Sequence, residues 1–200
     1  MKPVNLNDSL IYGGCLDVSA QESLVEDLRV IAGFAPFRNF KTASGKSIGV
    51  KMTSAGDFGW VSDQRGYRYE PLQHDGAPWP PIPESLLAIW REITGAARPP
   101  QCCLVNYYGE NIRMGLHQDN DEADPSFPVL SISLGDDALF RVGGVHRKDP
   151  TRSIWLRSGD VAVLSGPSRL AFHGIDRLRF GSSNLLKNKG RLNVTLRVVD

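Results

Sequence analysis

A histidine and an aspartate stand two residues apart in the segment Leu116-His117-Gln118-Asp119. In an extended chain such side chains point to the same face, so an imidazole nitrogen and a carboxylate oxygen could bind one metal ion. A second histidine would complete the two-histidine, one-carboxylate triad that holds iron(II) with open coordination positions. His173 is the best candidate because it lies in an apolar segment, whereas the remaining two histidines lie in polar ones. The alternative is that His173 is a hydrogen-bonded core residue with no ligand role.

The segment Arg191–Arg197 alternates polar and apolar residues with the period of a β-strand. If its polar face is exposed, the segment is a plain amphipathic strand. If that face lines a barrel interior, its two arginines need anionic partners, because an unpaired buried charge costs several kcal/mol. A dicarboxylate cosubstrate would supply one. Asn106 and Tyr108 would add an amide and a phenol from one face of a neighbouring strand.

The elements that must position these side chains are short strands in the second half of the chain. About seven strands with no helix between them indicate an antiparallel sandwich or barrel, with a jelly roll as the leading choice. The predicted strands are Cys102–Tyr108, Val129–Leu134, Ala138–Val142, Ser153–Leu156, Val161–Leu164, Leu170–Ile175 and Arg191–Val198.

The first half of the chain predicts two helices and an exposed segment between them. Ser19 and Glu22 have the spacing of a capping box, which predicts a helix over residues 20–33 that packs on a sheet. Residues 39–69 are rich in glycine, serine and charge and predict exposed hairpins. A second helix opens at Pro83-Glu84 and is ended by Gly95.

Composition places the chain among ordinary globular proteins. It has 200 residues, with 23 basic and 22 acidic side chains, and predicts a single domain, 1–200. No apolar run approaches a membrane span, and residues 1–14 lack the order of a signal peptide. Three cysteines, two of them adjacent, favour a reducing compartment. We therefore expect a cytoplasmic monomer that does not contact a membrane.

Charge is distributed unevenly along the chain. Residues 1–140 carry 11 basic and 18 acidic side chains, a net charge of −7, whereas residues 141–200 carry 12 and 4, a net charge of +8. If the basic residues form a patch, they would suit a nucleic-acid partner; otherwise they are an ordinary solvated surface.

From Met52 to Arg197 the sequence resembles the AlkB family of Fe(II)- and 2-oxoglutarate-dependent nucleic-acid demethylases. The segments that carry the resemblance are Gly59-Trp60, Arg65-Gly66-Tyr67, Pro78-Trp-Pro, Asn106-x-Tyr108, Leu116-His-Gln-Asp119-x-Asp121-Glu122, Ser131-x-Ser133-Leu-Gly135, Gly159-Asp160, Ser168-Arg-Leu, His173-Gly-Ile and Arg191-x-Asn193-x-Thr195. The resemblance implies a mainly β fold with flanking helices (α+β). Its double-stranded β-helix (jelly-roll) core would cover about residues 100–200, preceded by a nucleotide-recognition lid over about 39–75.

The resemblance also implies the role of each site residue. Fe(II) would be held by His117, Asp119 and His173, which are also the catalytic set. The residues that would hold 2-oxoglutarate are Asn106, Tyr108, Arg191, Asn193 and Arg197. Four residues would contact the substrate. Trp60 would stack on a flipped base, Tyr67 would lie at a phosphate, and Asp121 would accept a hydrogen bond from the exocyclic amine. Arg152 is the fourth.

The activity implied is oxidative demethylation of 1-methyladenine and 3-methylcytosine in DNA, with RNA as a further candidate, releasing formaldehyde, succinate and CO₂. O₂ would be the oxidant, and the biological role direct-reversal DNA repair. Ser153 and Leu164 depart from side chains that some family members carry near the base, which leaves the lesion range open. Two alternatives stay open as well: a 2-oxoglutarate oxygenase of the same fold acting on modified tRNA or protein, and a non-catalytic nucleic-acid-binding module.

Overall fold

The computed structural model describes residues 2–200. Its helices are α1, Val18–Phe34, and α2, Glu84–Thr94. Its strands are β1 Val4–Leu6, β2 Ser9–Tyr12, β3 Arg38–Lys41, β4 Ser47–Gly56, β5 Gly59–Asp63, β6 Gly66–Glu70, β7 Cys102–Tyr108, β8 Met114–His117, β9 Val129–Gly135, β10 Ala138–Val142, β11 Arg152–Leu156, β12 Val161–Leu164, β13 His173–Leu178 and β14 Arg191–Arg197. Within the described range, neither helix is long and apolar enough to cross a membrane.

Two antiparallel sheets face each other across the interior. The larger has the strand order β1-β2-β12-β9-β14-β7-β4-β3, and the smaller has the order β11-β10-β13-β8. Side chains from both sheets meet in one apolar cluster, which contains Leu104 of β7, Phe140 of β10 and Ile175 of β13. This is the predicted jelly-roll core with its flanking helices, and the fold class is confirmed.

Strand β14 lies in the middle of the larger sheet and is hydrogen-bonded to β7 on one side and β9 on the other. Leu192, Val194 and Leu196 project to the outer side of the sheet and join the apolar cluster under the helices. The alternating polar residues therefore face the smaller sheet. Of the two alternatives that the alternation left open, the internal face is the one that the structure shows.

Both helices cover the outer side of the larger sheet. Helix α1 buries Leu24, Leu28 and Ile31 against it, as predicted. The predicted capping box is wrong, since the helix begins two residues earlier and the carboxylate of Asp17 accepts the N–H of Ala20 at 2.8 Å. Helix α2 follows Pro83 and ends at Gly95, whose φ of 60° is the left-handed conformation that glycine favours.

Three predicted strands, β7, β10 and β12, agree with the structure residue for residue. Strand β13 begins at His173 rather than Leu170, because the amide of Ala171 bonds back to the carbonyl of Ser168 in a turn. Strand β8 was not predicted; it has four residues and Gly115 interrupts its pattern.

The segment 39–69 is less exposed than predicted. Strand β4 joins the larger sheet between β7 and the edge strand β3, pairs along its second half with β7, and buries Val50 and Met52 in the core. Strands β5 and β6 form a separate hairpin with its own two-stranded sheet. Most of the exposed part of the predicted lid is therefore this hairpin together with β3 and the start of β4.

Candidate active site

Two strands of the smaller sheet bring the predicted metal ligands together. His117 of β8 is the direct partner of His173 of β13. Asp119 follows β8 by two residues, and its carboxylate oxygens lie 3.8 Å from Nε2 of His117 and 3.7 Å from Nε2 of His173. One ligand atom from each of the three residues lies within 4.8 Å of the others. These distances suit one metal ion bound on one face by two imidazoles and a carboxylate.

Main-chain hydrogen bonds fix how both imidazoles face the site. Nδ1 of His117 lies 3.0 Å from the carbonyl oxygen of Gly115, and Nδ1 of His173 lies 2.9 Å from that of Ala171. A carbonyl oxygen only accepts, so Nδ1 carries the hydrogen in both rings. The Nε2 lone pairs are then directed at the metal position, which is the usual arrangement of histidine ligands.

Burial and neighbouring charges set the protonation of the ligands. Burial opposes the charged form of Asp119, but Arg197 and the two histidines outweigh it and hold the pKa of this carboxyl well below its ordinary value. Burial, reinforced by the nearby His117, lowers the pKa of His173 to about 4. At neutral pH the carboxylate is therefore charged and the His173 imidazole is neutral, the states that bind a metal.

A cavity of about 650 Å³ lies between the two sheets, and the triad forms part of its wall. The register of β7 and β14 pairs Tyr108 with Arg191 and Asn106 with Asn193, so these four side chains form one row along the cavity. Arg197 lies at the other end of β14 and donates from Nη2 to Oδ2 of Asp119 at 2.9 Å. The structure thus brings all five predicted cosubstrate residues to the cavity.

Arg191 has the surroundings of an anion receptor. Its side chain is 1% exposed, and Nη2 donates to the hydroxyl of Ser133 at 3.0 Å. Its Nε and Nη1 atoms are buried and have no hydrogen-bond partner. Across residues 2–200, no carboxylate lies within ion-pair distance of this guanidinium. A buried guanidinium without an anionic partner is costly. The surroundings of Arg191 therefore fit a bound carboxylate, such as the distal carboxylate of 2-oxoglutarate.

Arg197, in contrast, belongs to a buried cluster of charges that the sequence analysis missed. Its Nε lies 3.5 Å from Oε1 of Glu122, whose Oε2 accepts from Nη2 of Arg169 at 3.0 Å. Arg169 also donates to the main-chain carbonyls of Asp119 and Phe127. Two arginines thus balance two carboxylates beside the metal position. The motifs contained Glu122 and Arg169, but only the folded chain brings them together.

Aromatic residues from the β5–β6 hairpin also line the cavity. The rings of Trp60 and Tyr67 are stacked with centroids 5.3 Å apart. Nε1 of Trp60 donates to Oδ2 of Asp121 at 3.1 Å. All three residues belong to the cavity wall, as does the partly exposed His117.

Arg152 does not join this group. Its side chain is exposed at the start of β11 and is not among the residues that line the cavity. Outside the two arginines of β14, the lysines and arginines that line the cavity are Lys46, Arg113 and Arg147. Arg147 lies in the loop between β10 and β11, and its guanidinium is 4.9 Å from the centre of the Phe172 ring. Arg147 rather than Arg152 is therefore the arginine of this region that reaches the cavity. The sequence could not distinguish them because the course of a loop does not follow a period.

Comparisons with known proteins agree with this geometry. The model of the 2OG-Fe(II) oxygenase superfamily matches residues 9–197. The alpha-ketoglutarate-dependent dioxygenase AlkB homolog of Caulobacter vibrioides is 57% identical over 188 residues, which cover 94% of this chain and 86% of that protein. The alpha-ketoglutarate-dependent dioxygenase AlkB of Escherichia coli is 39% identical, covering 90% and 85%. The solved structure of OsALKBH1 has a TM-score of 0.81 and 30% identity, covering 94% of this chain and 97% of that one.

Replacing His173 by alanine should strongly weaken metal binding. Losing a residue that merely orients a metal ligand typically weakens affinity by about 10- to 100-fold, so losing a ligand should cost at least about 100-fold. Titration of Mn²⁺, a surrogate for Fe(II), into the apoprotein would measure this. His146→Ala is the matched control, since His146 is exposed in the loop before β11. Equal Mn²⁺ affinity of both variants would exclude the triad as the metal site.

Replacing Arg191 by methionine should weaken 2-oxoglutarate binding by about tenfold to a hundredfold, the range expected for a hydrogen-bonded pair of charged groups. Methionine fills much of the space without the charge. The affinity of the Mn²⁺-loaded protein for 2-oxoglutarate is the measurement, and Arg179→Met, an arginine with a 53% exposed side chain, is the control. An unchanged affinity in Arg191→Met would mean that the unpaired guanidinium does not bind the cosubstrate.

Proposed function

Because this chain belongs to the AlkB family of the 2OG-Fe(II) oxygenase superfamily, we propose that it removes methyl groups from alkylated bases in nucleic acid. The base lesions we infer are 1-methyladenine and 3-methylcytosine, and the biological role is direct-reversal repair. Fe(II), 2-oxoglutarate and O₂ are the cofactor and cosubstrates of the enzyme.

One observation carries the proposal. One cavity is lined by the triad, by the cationic and polar groups around Arg191, and by the stacked rings of Trp60 and Tyr67. We assign the groups around Arg191, as the cosubstrate arm, to a dicarboxylate, and the stacked rings, as the substrate arm, to a planar base. Both ligands would then lie in the same cavity as the metal, as the reaction requires.

The bound iron and 2-oxoglutarate would supply the oxidation, in which O₂ gives one atom to succinate with loss of CO₂ and one to the methyl group, which leaves as formaldehyde. The chain's own residues would orient the partners. Asn106, Tyr108 and Arg191 would bind the distal carboxylate, with Asn193 supporting them. Arg197 would hold Asp119 in place and lie near the metal-binding end of the cosubstrate.

The substrate arm suits a flipped, positively charged base. Methylation at adenine N1 or cytosine N3 blocks pairing, which lowers the cost of flipping the base out of a duplex. It also leaves the base cationic, and the carboxylate of Asp121 favours a cation over a neutral base. Trp60 would stack on the base opposite His117, Tyr67 would lie at a phosphate, and Arg147 would contribute the positive charge at this arm that we first assigned to Arg152.

We further propose the organisation and setting predicted above. The nucleotide-recognition lid spans about residues 39–75 and the double-stranded β-helix core about 100–200 of a single domain. The enzyme works as a cytoplasmic monomer, with DNA as its first substrate and RNA as a second.

Formaldehyde release from short oligonucleotides tests the proposal. With Fe(II), 2-oxoglutarate and O₂, oligonucleotides that contain 1-methyladenine or 3-methylcytosine should release one formaldehyde per methyl group removed, in single strands, duplexes or both. His117→Ala and removal of Fe(II) by a chelator should each abolish the release. If the wild-type protein decarboxylates 2-oxoglutarate but releases no formaldehyde from these oligonucleotides, the substrate is a modified tRNA or a protein instead. If it does neither, it is not an oxygenase.

Trp60→Ala and Arg147→Ala should raise the KM for the methylated oligonucleotide and leave the KM for 2-oxoglutarate within about twofold of wild type. Loss of base stacking typically costs about 1–3 kcal/mol, which corresponds to about fivefold to a hundredfold for Trp60→Ala. Arg152→Ala is the matched control for Arg147→Ala, because both are arginines near the loop before β11 and only Arg147 lines the cavity. Equal losses for both substrates in Trp60→Ala, or a larger effect of Arg152→Ala than of Arg147→Ala, would contradict the assigned substrate arm.

A further inference from the structure

Tyr69 connects the aromatic hairpin to the buried charges beside the metal position. It belongs to β6, outside both main sheets, yet its hydroxyl lies between Glu122 and Arg197. The hydroxyl donates to Oε1 of Glu122 and accepts from Nη1 of Arg197 at 3.2 Å. No cosubstrate or base contact was assigned to Tyr69 by the sequence, and it is absent from the cavity wall.

The directions of these hydrogen bonds follow from what each group can do. Arg197 only donates, and the Glu122 carboxylate only accepts, so a phenol with one hydrogen and free lone pairs satisfies both at once. Burial raises the pKa of the Tyr69 hydroxyl, which therefore keeps its proton at neutral pH. The guanidinium of Arg197 then has three fixed neighbours: Asp119, Glu122 and the phenol.

This arrangement determines where the Asp119 carboxylate points. Arg197 can hold Oδ2 of Asp119 at 2.9 Å only while its planar fork keeps its orientation. Nε of Arg197 lacks a well-formed hydrogen bond of its own, so the Nη1 contact with Tyr69 contributes much of the restraint. Groups that orient a metal ligand are known to affect affinity strongly without touching the metal.

We propose that the Tyr69 hydroxyl is a positioning group for the cosubstrate end of the active site, holding Arg197 and Glu122 so that Asp119 is directed at the metal. Tyr69 is the direct strand partner of Trp60 and lies two residues from Tyr67, so all three side chains share one face of the hairpin. The hairpin that carries the substrate residues thereby also supports the metal site. The inference rests on the oxygenase part of the proposed function and not on the choice of nucleic acid as substrate.

Tyr69→Phe tests the inference because it removes the hydroxyl and keeps the ring. Calorimetric titration of 2-oxoglutarate into the Mn²⁺-loaded variant should show about threefold to tenfold weaker binding, the range for one hydrogen bond. The visible absorption band of the anaerobic Fe(II)·2-oxoglutarate complex should shift or weaken as well. Both readouts are independent of nucleic acid, so they remain valid if the demethylation assay fails.

Tyr107→Phe is the matched control, since it removes a tyrosine hydroxyl that donates to the carbonyl of Lys189, away from the buried charges. Its 2-oxoglutarate affinity should stay within about twofold of wild type. Melting curves of both variants would separate positioning from stability. The inference is overturned if Tyr69→Phe binds 2-oxoglutarate as wild type does, or if both variants lose affinity equally.

Discussion

The ion pair between Arg197 and Asp119 is the interaction on which the fold and the site both depend. Their side chains are almost completely buried, and a buried charge is tolerated only when it is well paired and hydrogen-bonded. Glu122 and Arg169 extend the pair into a neutral group of four. Because Arg169 also binds the main chain at Asp119 and Phe127, the same group fixes the loop that carries Asp119 out of β8. The metal ligand Asp119 is therefore held by the same ion pairs and hydrogen bonds that satisfy the buried charges of the interior.

The two arginines of β14 perform different tasks although they lie on one face of one strand. Arg197 is balanced by carboxylates of the chain itself, whereas Arg191 has none and keeps two unpaired nitrogen atoms. The distance between them along β14 spans six residues, about 20 Å at the usual rise of a strand. Arg197, whose charge is balanced within the chain, lies beside the metal ligand Asp119, whereas Arg191, which has no anionic partner, lies at the other end of the strand. Under the proposed function, this difference would give a dicarboxylate only one favourable orientation.

The sequence predicted those features that follow a period or a local motif. The alternation in β14 separated its polar face from its apolar face but left open which one is internal. The spacing of His117 and Asp119 identified two of the three triad residues. The choice of His173 followed from its apolar surroundings. Features set by tertiary contacts were missed: the pairing of β4 with β7 in the larger sheet, the Glu122–Arg169 pair, and the short strand β8. Arg152 was named and Arg147 was not considered, because the position of a residue in the sequence does not show the course of a loop. The N-cap was misplaced because both Asp17 and Ser19 are good capping residues.

The distribution of charge also takes on a different meaning in the folded protein. Three of the 12 basic residues in 141–200, at positions 169, 191 and 197, are buried, as is one of the four acidic residues, Asp160. Nine basic and three acidic side chains of this segment therefore remain nearer the surface. In residues 1–140 the buried acids are Asp119, Glu122 and Asp136, which leaves 15 acidic against 11 basic side chains. The surface therefore keeps an excess of basic side chains from residues 141–200 and of acidic side chains from residues 1–140. Under the proposed function, contacts to the phosphate backbone would add a salt-dependent term that does not distinguish sequences. The base in the substrate arm would supply the discrimination, which would then depend on the lesion rather than on the surrounding sequence.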